Sequence, residues 1–168
     1  MRWIGALAIV LSSALLGHLA ARERERKVRD LESLLVGLNL LETEIVYGLT
    51  VLPVAMERAA RGAPGAAALF GTAANVLRQG RGIEEAWRAG VRALESRSAL
   101  GPEDLSAVAH LAGSLGLSSA SDQSRHLGLA RRKVETRLAA EQGRLPEAAR
   151  LARALGLCGG LAAAVLLV

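Results

Sequence analysis

Leu31–Val46 reads LESLLVGLNLLETEIV, and the spacing of its apolar positions decides the fold class. Leu31, Leu34, Leu35, Leu38, Leu41, Ile45 and Val46 recur at steps of mostly three and four, which puts them on one stripe of a helix of about five turns. Glu32, Asn39, Thr43 and Glu44 fall on its other faces. Gly48 offers a left-handed stop. Thr50 and Pro53 then open a second helix, with proline in the first turn where its missing N–H costs least.

The same periodicity continues along the chain. Leu52, Ala55, Met56 and Ala59 face inward up to Gly62, and a third helix carries Leu69, Phe70, Ala73, Val76 and Leu77 up to Gly80. A fourth presents Ile83, Ala86, Trp87, Val91 and Leu94. Gly101-Pro102-Glu103-Asp104 is a start signal, with proline early and acids where the helix dipole favours them. Leu105, Val108, Leu111, Ala112 and Leu115 form the fifth stripe, up to Gly116. A long sixth helix, capped by Ser118 or Ser121, buries Leu127, Val134 and Leu138, and Pro146 is expected to break or bend it. No stretch alternates with a period of two. The expectation is an all-α protein: a bundle of about six helices over residues 22–150, flanked by two further helices at 3–21 and 151–168.

Composition agrees. Of 168 residues 51% are hydrophobic, yet the aromatic residues are only Trp3, Tyr47, Phe70 and Trp87. Leucine, alanine, valine and glycine favour close helix contacts over a β-sandwich or barrel. A single cysteine, Cys158, excludes an internal disulfide framework and a cysteine-based zinc site.

The flanking runs read as membrane spans. Trp3–Ala21 carries no formal charge and as a helix is roughly 28 Å long, near the hydrocarbon thickness. A cleaved secretory signal is the rival reading. Its length, the basic cluster that follows and a second apolar run at the other terminus favour retention. The closing run is shorter: Ala154–Val168 is roughly 22 Å, with Arg150 and Arg153 able to snorkel, and its rival is a core helix of a soluble bundle. Ser13, Gly17 and Ala21 in one run, and Gly156, Gly160 and Ala164 in the other, lie four residues apart and offer smooth faces for helix packing. Arg22, Arg24, Arg26, Lys27 and Arg29 follow the first run directly, so the positive-inside rule places the middle of the chain in the cytoplasm and both termini across the membrane.

No reacting group stands out. Gly80-Arg81-Gly82 lacks the strand and the remainder of a nucleotide-binding fingerprint, so it reads as a turn. His18, His110 and His126 lie in different elements without spaced carboxylates, which leaves no metal or other cofactor to expect. Glu42 and Glu44 point about 200° apart around a helix and do not converge; Glu42 borders the leucine stripe, where an arginine would pair with it. Trp87 reads first as core.

Residues 41–53, LETEIVYGLTVLP, resemble the signature of the stage III sporulation protein AB family, in which a Leu-Glu-x-Glu-Ile-x-Tyr-Gly run precedes a Leu-Pro turn. Glu85-Ala86-Trp87, Leu115-Gly116-x-Ser118 followed by Gln123 and Leu127, and Leu155-Gly156 with Gly160 extend the resemblance over nearly the whole chain. This chain departs from the pattern at Ser119, where the family usually has Asp, and over Gly143 to Pro146. The family is similar to the F-type platform proteins of type II secretion and type IV pilus systems.

The resemblance implies a non-enzymatic membrane platform in the machinery linking mother cell and forespore during endospore formation. Its partners would be other channel subunits, a cytosolic secretion-type ATPase, the bilayer and further copies of the chain, with no nucleic acid. Glu42, Glu44, Tyr47, Gly48, Pro53, Trp87, Gln123 and Arg125 are the expected interface or architecture-setting residues. An alternative from another class is a membrane-tethered binder of nucleic acid or anionic lipid. It draws on the Arg-rich flanks of the spans, in a chain of net charge +5 and an isoelectric point near 10.6.

Overall fold

The computed structural model describes the backbone of residues 2–116 and 120–165, and the side chains of residue 19, residues 21–116 and residues 121–143. Over these the chain is helical, with no strand. Its elements are α1 (Arg2–Val46), α2 (Leu52–Gly62), α3 (Ala67–Arg78), α4 (Ile83–Glu95), α5 (Pro102–Ala109) and α6 (Ala120–Val165), with 3₁₀ turns at Pro64–Ala66 and His110–Gly113.

The helix count corrects the sequence reading. The first and last bundle helices do not stand apart from the terminal runs: α1 and α6 each run on through them, so the described residues hold six α-helices in all. The charged stretch 22–30 contains no breaker and is rich in Arg and Glu, which favour helix and pair at four-residue spacing, as Glu25 and Arg29 do at 3.7 Å. Nor does Pro146 end α6. Proline removes one backbone bond, at about 3 kcal/mol, and the alanine- and glutamate-rich turns on either side carry the helix past it. Ser121 lies inside the first turn of α6 and not at its cap. Ser118 is outside the described residues, as are the side chains of Ser13, Gly17, Gly156, Gly160 and Ala164. Among the described residues no helix is long and apolar enough to cross a membrane. The runs 3–21 and 151–168 fall almost wholly on side chains outside them.

The antiparallel pair α1 and α6 forms the most extensive helix contact among the described residues. Lys27 meets Glu141 at one end and Glu42 meets Ser124 at the other. The shorter helices pack onto this pair in sequence order, α2 on α1, α3 on α2, α4 on α3, and α5 between α4 and α6. The leucine stripe closes against them as its spacing predicts: Leu31, Leu34, Leu38 and Leu41 are all buried, together with Met56, Leu69, Phe70, Trp87, Leu94, Val108, Leu115, Leu127 and Val134.

Two local features set this core. Trp87 is fully buried, stacks edge-on against Phe70 with ring centroids 6.1 Å apart, and donates its indole N–H to the Val108 carbonyl at 2.8 Å. That bond ties α4 to α5, so Trp87 acts in the architecture. Gly90, also in α4, lies so near α3 that a Cβ there would strike the backbone carbonyl of Leu69. The fifth stripe, expected to stay helical to Gly116, tightens after Ala109 into the 3₁₀ turn, while Leu111, Ala112 and Leu115 remain buried.

Candidate functional site at the α1–α2 corner

The end of α1 brings several of the expected residues together. Glu44 accepts a hydrogen bond from the Thr50 hydroxyl at 2.7 Å and an ion-paired hydrogen bond from Arg58 of α2, also at 2.7 Å. The Thr50 hydrogen bond, followed by the Arg58 contact and charge, holds the Glu44 carboxyl below the usual carboxylate range, against the opposing effect of desolvation. The Thr50 backbone N–H also returns to the Glu44 carbonyl at 3.0 Å. Thr50 therefore closes the corner rather than capping α2, whose cap position is Val51 and whose second residue is Pro53.

Gly48 is not the left-handed residue. That conformation falls on Leu49, at φ 47°. Gly48 is needed for closeness instead: a Cβ there would lie 2.8 Å from the Glu44 carbonyl oxygen and 2.9 Å from Thr50 Oγ1. Leu49 bears the backbone strain, about 1–2 kcal/mol for a residue with a Cβ, and its side chain is released into solvent. Tyr47, Leu49 and Val51 are 82%, 83% and 68% exposed and make an apolar tip on the braced corner.

Beside the corner, α6 is locked onto α1. Glu42 accepts from Ser124 at 2.7 Å and from Arg131 at 3.2 Å, and Arg131 also donates to the Asn39 side-chain oxygen at 2.9 Å. The carboxylate bordering the leucine stripe does meet a guanidinium. It is that of Arg131, a residue the sequence reading did not name. Arg125, one residue beyond Ser124 in α6, is exposed, and Gln123 is half-buried. Trp87 lies apart, in the core. Nothing in sequence spacing pointed to Arg131 or Ser124 as partners of Glu42, since those contacts span 82 and 89 residues, and the Thr50 and Arg58 contacts to Glu44 depend on how the corner turns.

At the opposite end of the described bundle, Lys27 joins α1 to two other helices. Its ammonium lies 2.9 Å from Asp104 of α5 and 3.1 Å from Glu141 of α6. Burial works against the charged form of Lys27, but the hydrogen bonds and attraction of the two carboxylates outweigh it and raise its pKa above the ordinary lysine value. Asp104, itself buried, also accepts the Gly101 backbone N–H at 3.0 Å and so begins α5. Among the described residues no group of three histidine, cysteine, aspartate or glutamate side chains is placed to hold a metal.

Fold and site together define a helical protein in which two long antiparallel helices carry four short ones and present an apolar, ion-braced corner. Residues 2–168 match the family model for stage III sporulation protein AB, and the chain belongs to that family. A solved structure of stage III sporulation protein AB (SpoIIIAB) is similar, with a TM-score of 0.66 and 24% identity over 71% of this chain and 96% of that one. The second comparison is a likeness of fold. No curated protein sequence matches significantly.

Proposed function

We propose that the chain is a non-enzymatic membrane platform of the mother cell–forespore channel complex in endospore formation. In this reading residues 3–21 and 151–168 span the mother-cell membrane around the forespore, residues 22–150 lie in the cytoplasm and both termini lie on the far side. Other channel subunits and a secretion-type ATPase are its protein partners, and copies of the chain associate with one another.

The observation that carries the reading is the exposed Tyr47–Leu49–Val51 tip. It follows the end of α1, about 36 Å along that helix from Arg22 at 1.5 Å per residue, and in this reading it is held clear of the lipid surface and presented to cytosolic partners. Exposed apolar side chains grouped at one corner are the kind of surface that a protein partner covers. The basic residues favour this reading over nucleic-acid binding, because Lys27, Arg29, Arg58, Arg78, Arg81, Arg88, Arg131 and Arg137 all pair with carboxylates, so much of the bundle's positive charge is matched locally.

The test is pull-down of sporulation membrane proteins and the ATPase by the full chain, compared with Tyr47→Ser and Val51→Ser variants. Loss of association with the helical signal intact is the expected result. Unchanged association for both variants overturns the tip as a docking surface.

A further inference from the structure

Where the uncharged run of α1 gives way to arginine, one face of the helix is left open. Leu19, Arg22 and Arg26 follow at steps of three and four and share a stripe. Ser98 and Ala99 of the α4–α5 connection stand across from them, and the two walls bound an open groove of about 540 Å³ whose lining also includes Glu23. The far wall is pinned to α1. The Ala99 N–H donates to Asp30 Oδ2 at 2.8 Å, the Ser98 hydroxyl donates to the Leu94 carbonyl at 2.7 Å, and Leu100 beside them is buried.

Chemically the groove is graded along the helix. Leu19 at its foot is 53% exposed. One and two turns further on, Arg22 and Arg26 are exposed and, among the described residues, form no ion pair, unlike Arg29 with Glu25. Among the described lining residues Glu23 supplies the one opposing charge, which leaves that set net positive. An apolar foot below two guanidiniums matches a molecule with a phosphate at one end and hydrocarbon at the other. Guanidinium groups bind phosphate through paired, charge-assisted hydrogen bonds. A soluble phosphate would satisfy the arginines and leave Leu19 in water.

We propose that this groove binds an anionic phospholipid, with Arg22 and Arg26 on the headgroup phosphate and Leu19 against the glycerol end of the acyl chains. The site rests on the reading of residues 3–21 as a membrane span, which sets Arg22 at headgroup level. A choline headgroup would bring its own cation toward Arg26, whereas a phosphatidylglycerol headgroup brings none, so the site discriminates by charge.

The full chain is reconstituted in bilayers of equal parts phosphatidylglycerol and phosphatidylcholine, extracted in mild detergent, and its retained lipid is read by native mass spectrometry. Phosphatidylglycerol is expected to dominate. Arg22→Gln and Arg26→Gln should each lower its retention about fivefold, the worth of one interfacial arginine. Arg24→Gln, the same charge change on another face of α1, should lower it by less than about twofold. Equal retention of the two lipids, or equal loss in all three variants, overturns the site. Displacement of the lipid by millimolar glycerol phosphate overturns a lipid as its ligand. An alkaline carbonate wash of the same bilayers separates the two ideas: a chain released by the wash overturns the anchor and the site with it. A chain that stays in the pellet but retains both lipids equally overturns the site alone.

Discussion

The Lys27 ammonium, on α1, lies 2.9 Å from the buried carboxylate of Asp104 on α5, and the same ammonium reaches Glu141 on α6 at 3.1 Å. One cation thus gathers three helices that are distant in sequence. Lys27→Met should destabilise the chain by about 3 kcal/mol, because it strands the Asp104 charge in the interior. The double variant Lys27→Met/Asp104→Asn should recover part of that loss. Thermal unfolding of the detergent-solubilised chain, followed by its helical signal, measures both; equal stability of the single variant and the parent contradicts the account.

Gly90 and Gly128 give opposite expectations for the same substitution. Both lie inside helices, where alanine is ordinarily favoured by about 1 kcal/mol. At Gly128 a Cβ meets nothing within 4 Å, so Gly128→Ala should stabilise. At Gly90 it meets the Leu69 carbonyl, so Gly90→Ala should instead destabilise by about 1–3 kcal/mol as α3 and α4 are pushed apart. A shared sign for the two unfolding shifts would refute the close approach.

Glu44 makes the corner acid-sensitive. Its carboxyl is held below the ordinary value by Thr50 and Arg58, so its contribution is fully present above the unfolded carboxylate pKa and is lost as pH falls through the lower, folded one. Parent and Glu44→Gln stabilities should therefore differ at neutral pH and converge in acid. Thr50→Val should move the Glu44 midpoint upward, which carboxyl-resolved NMR titration reads directly.

Leu49 separates folding from docking. Asparagine tolerates the left-handed conformation better than leucine does, so Leu49→Asn should leave stability unchanged or raise it by up to about 1 kcal/mol. The same change removes an exposed apolar side chain from the tip and should weaken partner capture. A variant that loses stability and association together would assign Leu49 to folding instead.

Trp87→Phe removes the indole donor to the Val108 carbonyl while keeping a ring against Phe70. The expected cost is about 1–2 kcal/mol, measured by chemical unfolding, with the helix content of the native state unchanged.

The helical class was fully legible in the sequence because burial of an amphipathic helix leaves its period in the chain. The stripe from Leu31 to Leu41 and those of α2 to α6 all face the core. Helix ends were less legible. A local signal such as Pro146 predicts a break or a bend, but the cost of one missing bond is small beside the turns that flank it, and α6 is not broken there. At the corner a glycine was the natural candidate for positive φ. The close approach of Glu44 and Thr50 claims Gly48 for another reason and passes the conformation to Leu49.

Sequence alone thus determined which faces are apolar, where the charge lies and which family signature residues 41–53 carry. Only the tertiary structure decided which charges meet: Arg131 at Glu42, Arg58 at Glu44, and Asp104 with Glu141 at Lys27. Hydrophobic burial is non-directional and is written as periodicity along the chain. An ion pair depends on distances of a few ångströms between residues far apart in sequence, and those distances exist only once the helices have packed.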